Sequence, residues 1–380
     1  MTVDRENKAA SRIESSKKMF SFWKILIPVF IGLAVVAFMF YHDASKENLL
    51  ETFRSIDFNS RSIWCIGLAF LFIFGRDMGL SWRFRALTNK ELPWRSAWEV
   101  DMLCEFTSCV TPSAVGGSSF GMIYLNSKGI EFGRATTLMM TTLFLDELFF
   151  VVACPIFVLL TPGYEIFSAA GAAFSHGVRV TFWLIYGAVT LWTLILFTGI
   201  IWKPRWIKSL IVKICKLRIM RRWRDKGNEL GDNMIATSKA LRNKPFKFWI
   251  EVFGATSLSW ISRYAVVNAL FLGFLPQADP MQWVILVRQL VLWLVLMISP
   301  TPGGSGLSEW LFSEYYGDLV PTAGMAIILA VIWRLITYYL YLVIGAIIVP
   351  GWAKNYYKRI QRNNHKDSSE KTEEYVGTEK

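Results

Sequence analysis

Ten residues, Pro300-Thr301-Pro302-Gly303-Gly304-Ser305-Gly306-Leu307-Ser308-Glu309, combine helix breakers, hydroxyls and an acid at the end of an apolar run, Trp283 to Ile298. Prolines and glycines at membrane depth free backbone N–H and C=O groups that hydrocarbon cannot satisfy, so such backbone survives only inside protein or against a cavity. A helix restarting after Gly303-Gly304 aims its N–H groups and positive dipole end at the break, which suits an anion. The blander reading is that these glycines only allow helices to pack closely. A second broken element lies earlier, Thr111-Pro112-Ser113-Ala114-Val115-Gly116-Gly117-Ser118-Ser119. One broken hydrophobic segment in each half of a chain points to the central site of a transporter.

Charged residues inside apolar spans form the second set of candidates: Arg76 and Asp77, Asp146 and Glu147, Arg263, and Arg334. Asp146 and Arg334 each lie ~18 Å into their helices at ~1.5 Å per residue, near the bilayer middle. A charge there costs ~2.5–3.5 kcal/mol on insertion scales, so it faces the interior and pairs or binds something. Arg76, Asp77, Asp146 and Glu147 read as a buried charge network; Arg288 is nearer an interface, where it can snorkel. Arg334, Tyr338, Tyr341 and Gly345 fall on one helical face, and Ser259 shares a face with Arg263. Arginine suits phosphate because its planar guanidinium donates two parallel bonds. Arg334 is the first candidate for such a phosphate and Arg263 the second. Gly303, Gly304, Ser305, Glu309 and Tyr338 complete the headgroup set, with Thr111, Pro112, Gly116 and Gly117 from the earlier turn. Glu309 has three possible roles, local capping, pairing with a buried arginine or proton coupling, of which pairing is favoured.

These residues need a membrane to hold them. The chain is 53% hydrophobic with seventeen Trp, too apolar for a soluble protein of 380 residues. Crossing spans are expected at about Trp23–Tyr41, Ser62–Trp82, Ala135–Leu160, Val180–Trp202, Phe248–Gly273 and Thr322–Pro350, each near the ~20 residues needed to cross. The broken segments, about Ala97–Asn126 and Trp283–Tyr316, lie between them. If the N-terminus is inside, every basic loop falls inside only when both broken segments enter and return, from opposite faces. The fold expected is an all-α polytopic membrane protein of six crossing helices and two oppositely oriented re-entrant hairpins, as inverted repeats produce. Residues 1–22 and 351–380 are then cytoplasmic tails of a 23–350 membrane domain.

The formal charge of +12 is uneven. Residues 203–247 carry fourteen Lys/Arg against three acids, a net of +11, which marks a cytoplasmic loop facing anionic headgroups and not a nucleic-acid-binding domain. Within it Ile207, Leu210, Ile211 and Ile214 form an apolar stripe beside Lys208, Lys213 and Lys216, so part of the loop is expected to lie on the membrane surface. The five cysteines show no metal spacing and the three histidines have no partners, so no metal or cofactor is expected.

The late Pro-Thr-Pro-Gly-Gly-Ser-Gly-Leu-Ser-Glu run, preceded by the early Thr-Pro-Ser and Gly-Gly element, resembles the lysylphosphatidylglycerol synthase transmembrane region, a family of flippase-like integral membrane proteins. The resemblance covers about residues 20–350. It extends to the Arg83 end of the second helix, to Leu145-Asp146-Glu147-Leu148, and to Arg334 with Thr337. Where that pattern places an acid followed by arginine, this chain has Asp146-Glu147. Bifunctional members resemble this region fused to a soluble transferase domain; only about thirty polar residues follow Pro350 here. The resemblance therefore implies translocation without lipid synthesis.

A lipid translocase in the cytoplasmic membrane, moving a phosphate-bearing lipid, is the function expected, with an envelope-pathway protein as a possible partner. One alternative is a coupled transporter of a small soluble anion, which needs a closed cavity. A membrane-embedded lipid-modifying enzyme is the lesser alternative, since no paired aqueous acids or nucleophile constellation is visible.

Overall fold

A computed structural model describes residues 59–111, 116–169, 171–215, 224–356 and 359. The expected first span, Trp23–Tyr41, both polar termini beyond those limits, and Pro112 lie outside the described residues. Within them all regular structure is helical, and the protein is an all-α polytopic membrane protein.

The long helices are α1 (Ser60–Leu87), α4 (Phe132–Leu160), α5 (Ala172–Phe197, extended by a π turn Thr198–Trp202) and α8 (Phe246–Phe274). The last, α11, begins at Ala323–Arg334 and continues through a π segment, Leu335–Tyr339, to Tyr356. Between α1 and α4 run α2 (Trp94–Val110) and α3 (Gly116–Ser127), the first broken segment. After α8, a 3-10 turn leads into α9 (Gln282–Leu296), which is followed by α10 (Leu307–Tyr316). Two shorter helices, α6 (Pro204–Cys215) and α7 (Arg224–Arg242), occupy the basic loop and pack together.

Side-chain caps start the first and last of the long helices. Asn59 accepts from the Ser62 N–H and Thr322 from the Met325 N–H, each relieving one of the unpaired donors of a first turn. At the end of α1 the Thr88 hydroxyl returns to the Phe84 carbonyl, and Asn89 and Lys90 take positive φ to reverse the chain.

Five segments are long and apolar enough to cross: Ser60–Leu87, Phe132–Leu160, Ala172–Trp202, Pro276–Leu296 and Ala323–Tyr356. Helix α8, expected as a crossing span, is not among them, although its 29 residues span ~43 Å. Lys247, Glu251, Arg263 and Asn268 dilute its apolar composition. It runs alongside α1, which is itself one of the five. Without a hydrophobic drive between helices in lipid, close approach of small residues supplies the packing. A Cβ on Gly79 would sit 2.7 Å from the Ala255 carbonyl oxygen and 3.0 Å from the Ser259 nitrogen. Ser62 donates to the Gly273 carbonyl at 3.0 Å. This seam fixes Arg76, Asp77 and Arg83 of α1 opposite Arg263 of α8.

The contacts at the bundle's two ends define the direction of each hairpin. At one end the turn after α1 meets the start of α4 through Arg134 and Glu91 (2.7 Å). There Lys128 of the α3–α4 turn reaches Glu99 of α2 (2.6 Å), and Arg359 donates to the Ser127 carbonyl. At the other end Arg61 pairs with Asp279, Trp283 donates to Thr161, and Tyr315 donates to the Ile166 carbonyl. The α2–α3 hairpin therefore starts and finishes at the first end, and the α9–α10 hairpin at the second. Their turns meet between, where the Gly303 N–H donates to the Thr111 carbonyl at 3.4 Å. Pro276–Leu296 is long enough to cross by length and composition, but its α-helical part, α9, holds 15 residues, ~22 Å, and stops before this meeting point.

One expectation is corrected here. Arg288 does not snorkel. It is 1% exposed, bonds both oxygens of Asp318 at 2.5 and 2.8 Å, and donates to the Glu165 and Tyr315 carbonyls. A loop acid folds back over the hairpin and supplies the partner that an interface would otherwise provide.

Candidate site: a charged cavity between opposed hairpins

A cavity of about 230 Å³ lies where the two hairpin turns approach, walled by α1, α2, α4, α8, α9 and α11 with the starts of α3 and α10. Of the residues expected at the site, Arg263, Arg334, Gly303, Gly304, Tyr338, Gly117 and Asp146 line it. Ser305 and Glu309 are buried behind its wall, 1% exposed each. Gly116 opens α3, and Thr111 contributes its carbonyl to the contact between the turns.

The second turn is tightly held. Gly303 and Gly304 adopt φ of +57° and +72°, which side-chain-bearing residues rarely do. A Cβ on Gly303 would also strike the Tyr338 ring at 2.2 Å, whereas Gly304 opens toward the cavity, with Ser308 nearest at 3.8 Å. Ser305 donates to the Tyr338 hydroxyl (3.0 Å), which donates to the Cys109 carbonyl of the first hairpin (3.2 Å). Tyr338 thus ties both turns to α11.

Glu309 fills the position that the helix start offers to an anion. Its Oε2 accepts from the Gly306 N–H and the Ser308 hydroxyl, both at 2.8 Å, and its Oε1 accepts from Arg334 Nε at 3.0 Å. The N-terminus of α10 is therefore capped by its own chain. Arg334 also donates to the Gly303 carbonyl (3.0 Å) and stacks 3.8 Å above the Tyr338 ring. It braces the second hairpin.

Arg263 is bound more loosely. Its guanidinium lies 4.6 Å from the Trp293 ring and 5.1 Å from Trp260, a cation–π position between two aromatic walls. Its polar contacts are long, 3.3 and 3.4 Å, both to Glu105. Glu105 is shared with Arg76, which also pairs with Asp77 at 3.0 Å. The Tyr341 hydroxyl donates to both Asp77 oxygens.

Asp146 belongs to a different pair. It accepts from Arg83 of α1 at 2.5 and 3.2 Å and from Trp260 Nε1 at 2.9 Å. The arginine beside Asp146 is Arg83, which comes from another helix. Glu147 joins neither group; its Oε2 is buried without a hydrogen-bond partner. The single network expected from Arg76, Asp77, Asp146 and Glu147 is thus divided.

Sequence reasoning missed Asp101, Glu105, Trp260 and Trp293, and met Arg83 only through resemblance. The overlooked signal was Asp101-x-x-x-Glu105 within the first broken segment, two acids one turn apart on one face of α2. Among the described residues no cluster of His, Cys, Asp and Glu has metal-site geometry.

The family profile of the lysylphosphatidylglycerol synthase TM region matches residues 25–345. A UPF0104 membrane protein from Archaeoglobus fulgidus is 26% identical over 342 residues, covering 85% of this chain and 95% of the relative. No solved structure matches the chain. The chain belongs to the lysylphosphatidylglycerol synthase transmembrane region family.

Proposed function

We propose that this membrane protein translocates a phosphate-bearing lipid across the cytoplasmic membrane, with the headgroup passing through the cavity between the hairpins. The observation that carries the reading is Arg263, a guanidinium held over two indole rings with only long bonds to a shared carboxylate. An incoming phosphodiester offers it shorter, charge-assisted bonds than Glu105 does. Indole faces around it exclude water while tolerating a cation and an acyl-chain shoulder. Gly304, open to the cavity, leaves room beside the turn. Arg334, the first candidate from sequence, serves as a brace in this reading.

The basic end, with Lys90, Lys128, Arg134 and the α6–α7 loop, is cytoplasmic in this account, by the excess of Lys/Arg. No chemical transformation of the lipid is assigned: two of the three acids lining the cavity, Glu105 and Asp146, are paired with arginines. The alternative, a coupled transporter of a small soluble anion, uses the same guanidinium.

Purified protein in liposomes separates them. Headgroup-labelled phosphatidylglycerol should change leaflets faster than in protein-free vesicles, and sulfate uptake should stay at the protein-free rate. Sulfate uptake without lipid movement replaces the lipid reading with the anion reading.

A further inference from the structure

Each guanidinium around the cavity meets a carboxylate: Arg83 with Asp146, Arg334 with Glu309, and Arg76 and Arg263 with Glu105. One carboxylate stands outside this pattern. Asp101 of α2 lines the cavity and is 1% exposed. It takes part in none of the ion pairs among the described residues, and its Oδ2 has no hydrogen-bond partner.

The neighbours of Asp101 define its chemistry. From α1 it faces Arg76, Asp77 and Arg83, and along its own helix Cys104 and Glu105. Helix α3 brings only Tyr124 as a buried titratable group. Across the cavity α4 presents Asp146, α8 presents Arg263 and Tyr264, and α11 presents Arg334 and Tyr338, with Tyr341 buried beside Asp77. The arginines near it are already bound to other acids. An ionised carboxylate so placed has no ion-pair partner of its own among the described residues and one buried oxygen without a donor, so a proton is the partner it lacks.

We propose that Asp101 is a proton-binding site, and that a proton rides on it together with each anion that enters the cavity. This deepens the phosphate-lipid reading and rests on it. An anion settling on Arg263 loosens that guanidinium from Glu105 and adds negative charge to the cavity, which strengthens the hold of Asp101 on its proton. When the anion leaves, Arg263 returns to Glu105, the added negative charge is gone, and the hold of Asp101 on its proton weakens to that of the empty cavity. The proton comes from water on the entry side, forms an O–H bond at Asp101, and returns to water on the exit side when that bond breaks. One proton and one singly charged phosphodiester then move as an electroneutral unit. Linkage makes the effect reciprocal: the anion tightens the proton and the proton tightens the anion.

The experiment measures binding, so it does not depend on transport. Full-length protein in detergent is titrated with short-chain phosphatidylglycerol, and separately with sulfate, across a pH series in which neither probe changes charge. Wild-type affinity should fall about tenfold per pH unit above the point of proton release, the slope for one linked proton. The neutral variants Asp101→Asn and Asp101→Ser should bind with that slope removed, and Asp101→Glu should retain it. Wild-type binding that ignores pH, or a slope that survives in both neutral variants, overturns the proton site and leaves the lipid reading standing. A slope seen with sulfate, removed by Asp101→Asn, and no phosphatidylglycerol binding would keep the proton site and move the substrate to a soluble anion. If neither anion binds at any pH, both proposals fall.

Discussion

Glu309 and Arg334 form the ion pair that locks the second hairpin turn to the last long helix, with Nε to Oε1 at 3.0 Å and side-chain exposures of 1% and 8%. The same carboxylate caps the helix that bears it, through the Gly306 N–H. One acid therefore holds a local turn and a long-range contact at once.

Glu309→Gln should be strongly destabilising, because it leaves Arg334 buried beside a neutral partner. Breaking one side of a buried pair costs about 3–5 kcal/mol. Replacing both groups, as Glu309→Leu with Arg334→Met, should recover part of that loss. Thermal unfolding of the detergent-purified variants measures this. A Glu309→Gln variant as stable as wild type removes the pair from the architecture.

The α1–α8 seam makes a sharper steric prediction. Gly79→Val places side-chain atoms against the Ala255 carbonyl, whereas a Cβ added at Gly187 would meet nothing within 4 Å. Overpacking typically costs about 1–3 kcal/mol, so Gly79→Val should lower the unfolding temperature and Gly187→Ala should leave it nearly unchanged. Equal effects at both sites would mean that the seam is not close-packed.

The opposed hairpins predict a labelling pattern. Single cysteines at Asn89 and Ser127 should react from one side of the membrane, and cysteines at Gln277 and Asp318 from the other. Membrane-impermeant thiol reagents on oriented vesicles read this directly, with the native cysteines replaced. Asn89 and Ser127 labelling from opposite sides would make the first hairpin a full crossing.

Much of this architecture is legible in the sequence because it rests on local signals. The Pro300–Glu309 run breaks an apolar segment whatever its surroundings, and the Lys/Arg bias of the loops sets the direction of each hairpin. Pairing is different in kind. Arg83 and Asp146 lie 63 residues apart, and Arg263 and Glu105 lie 158 apart, so no periodicity connects them. Arg334 is the natural first choice for phosphate because its depth and its Tyr-bearing face are visible in one helix. That Glu309 already occupies it depends on how a hairpin folds back. Asp101 escapes notice for the opposite reason: its significance lies in having no ion-pair partner, which only the assembled helices show.

The central claim is that Arg263 receives the headgroup phosphate. Its most direct test is lipid translocation by Arg263→Gln in proteoliposomes, measured as loss of headgroup-labelled phosphatidylglycerol to an impermeant quencher. The account predicts that the variant assembles and slows translocation roughly tenfold or more, ~1.4 kcal/mol of lost interaction in the rate-determining state. A stable Arg263→Gln protein that moves lipid at the wild-type rate would contradict it.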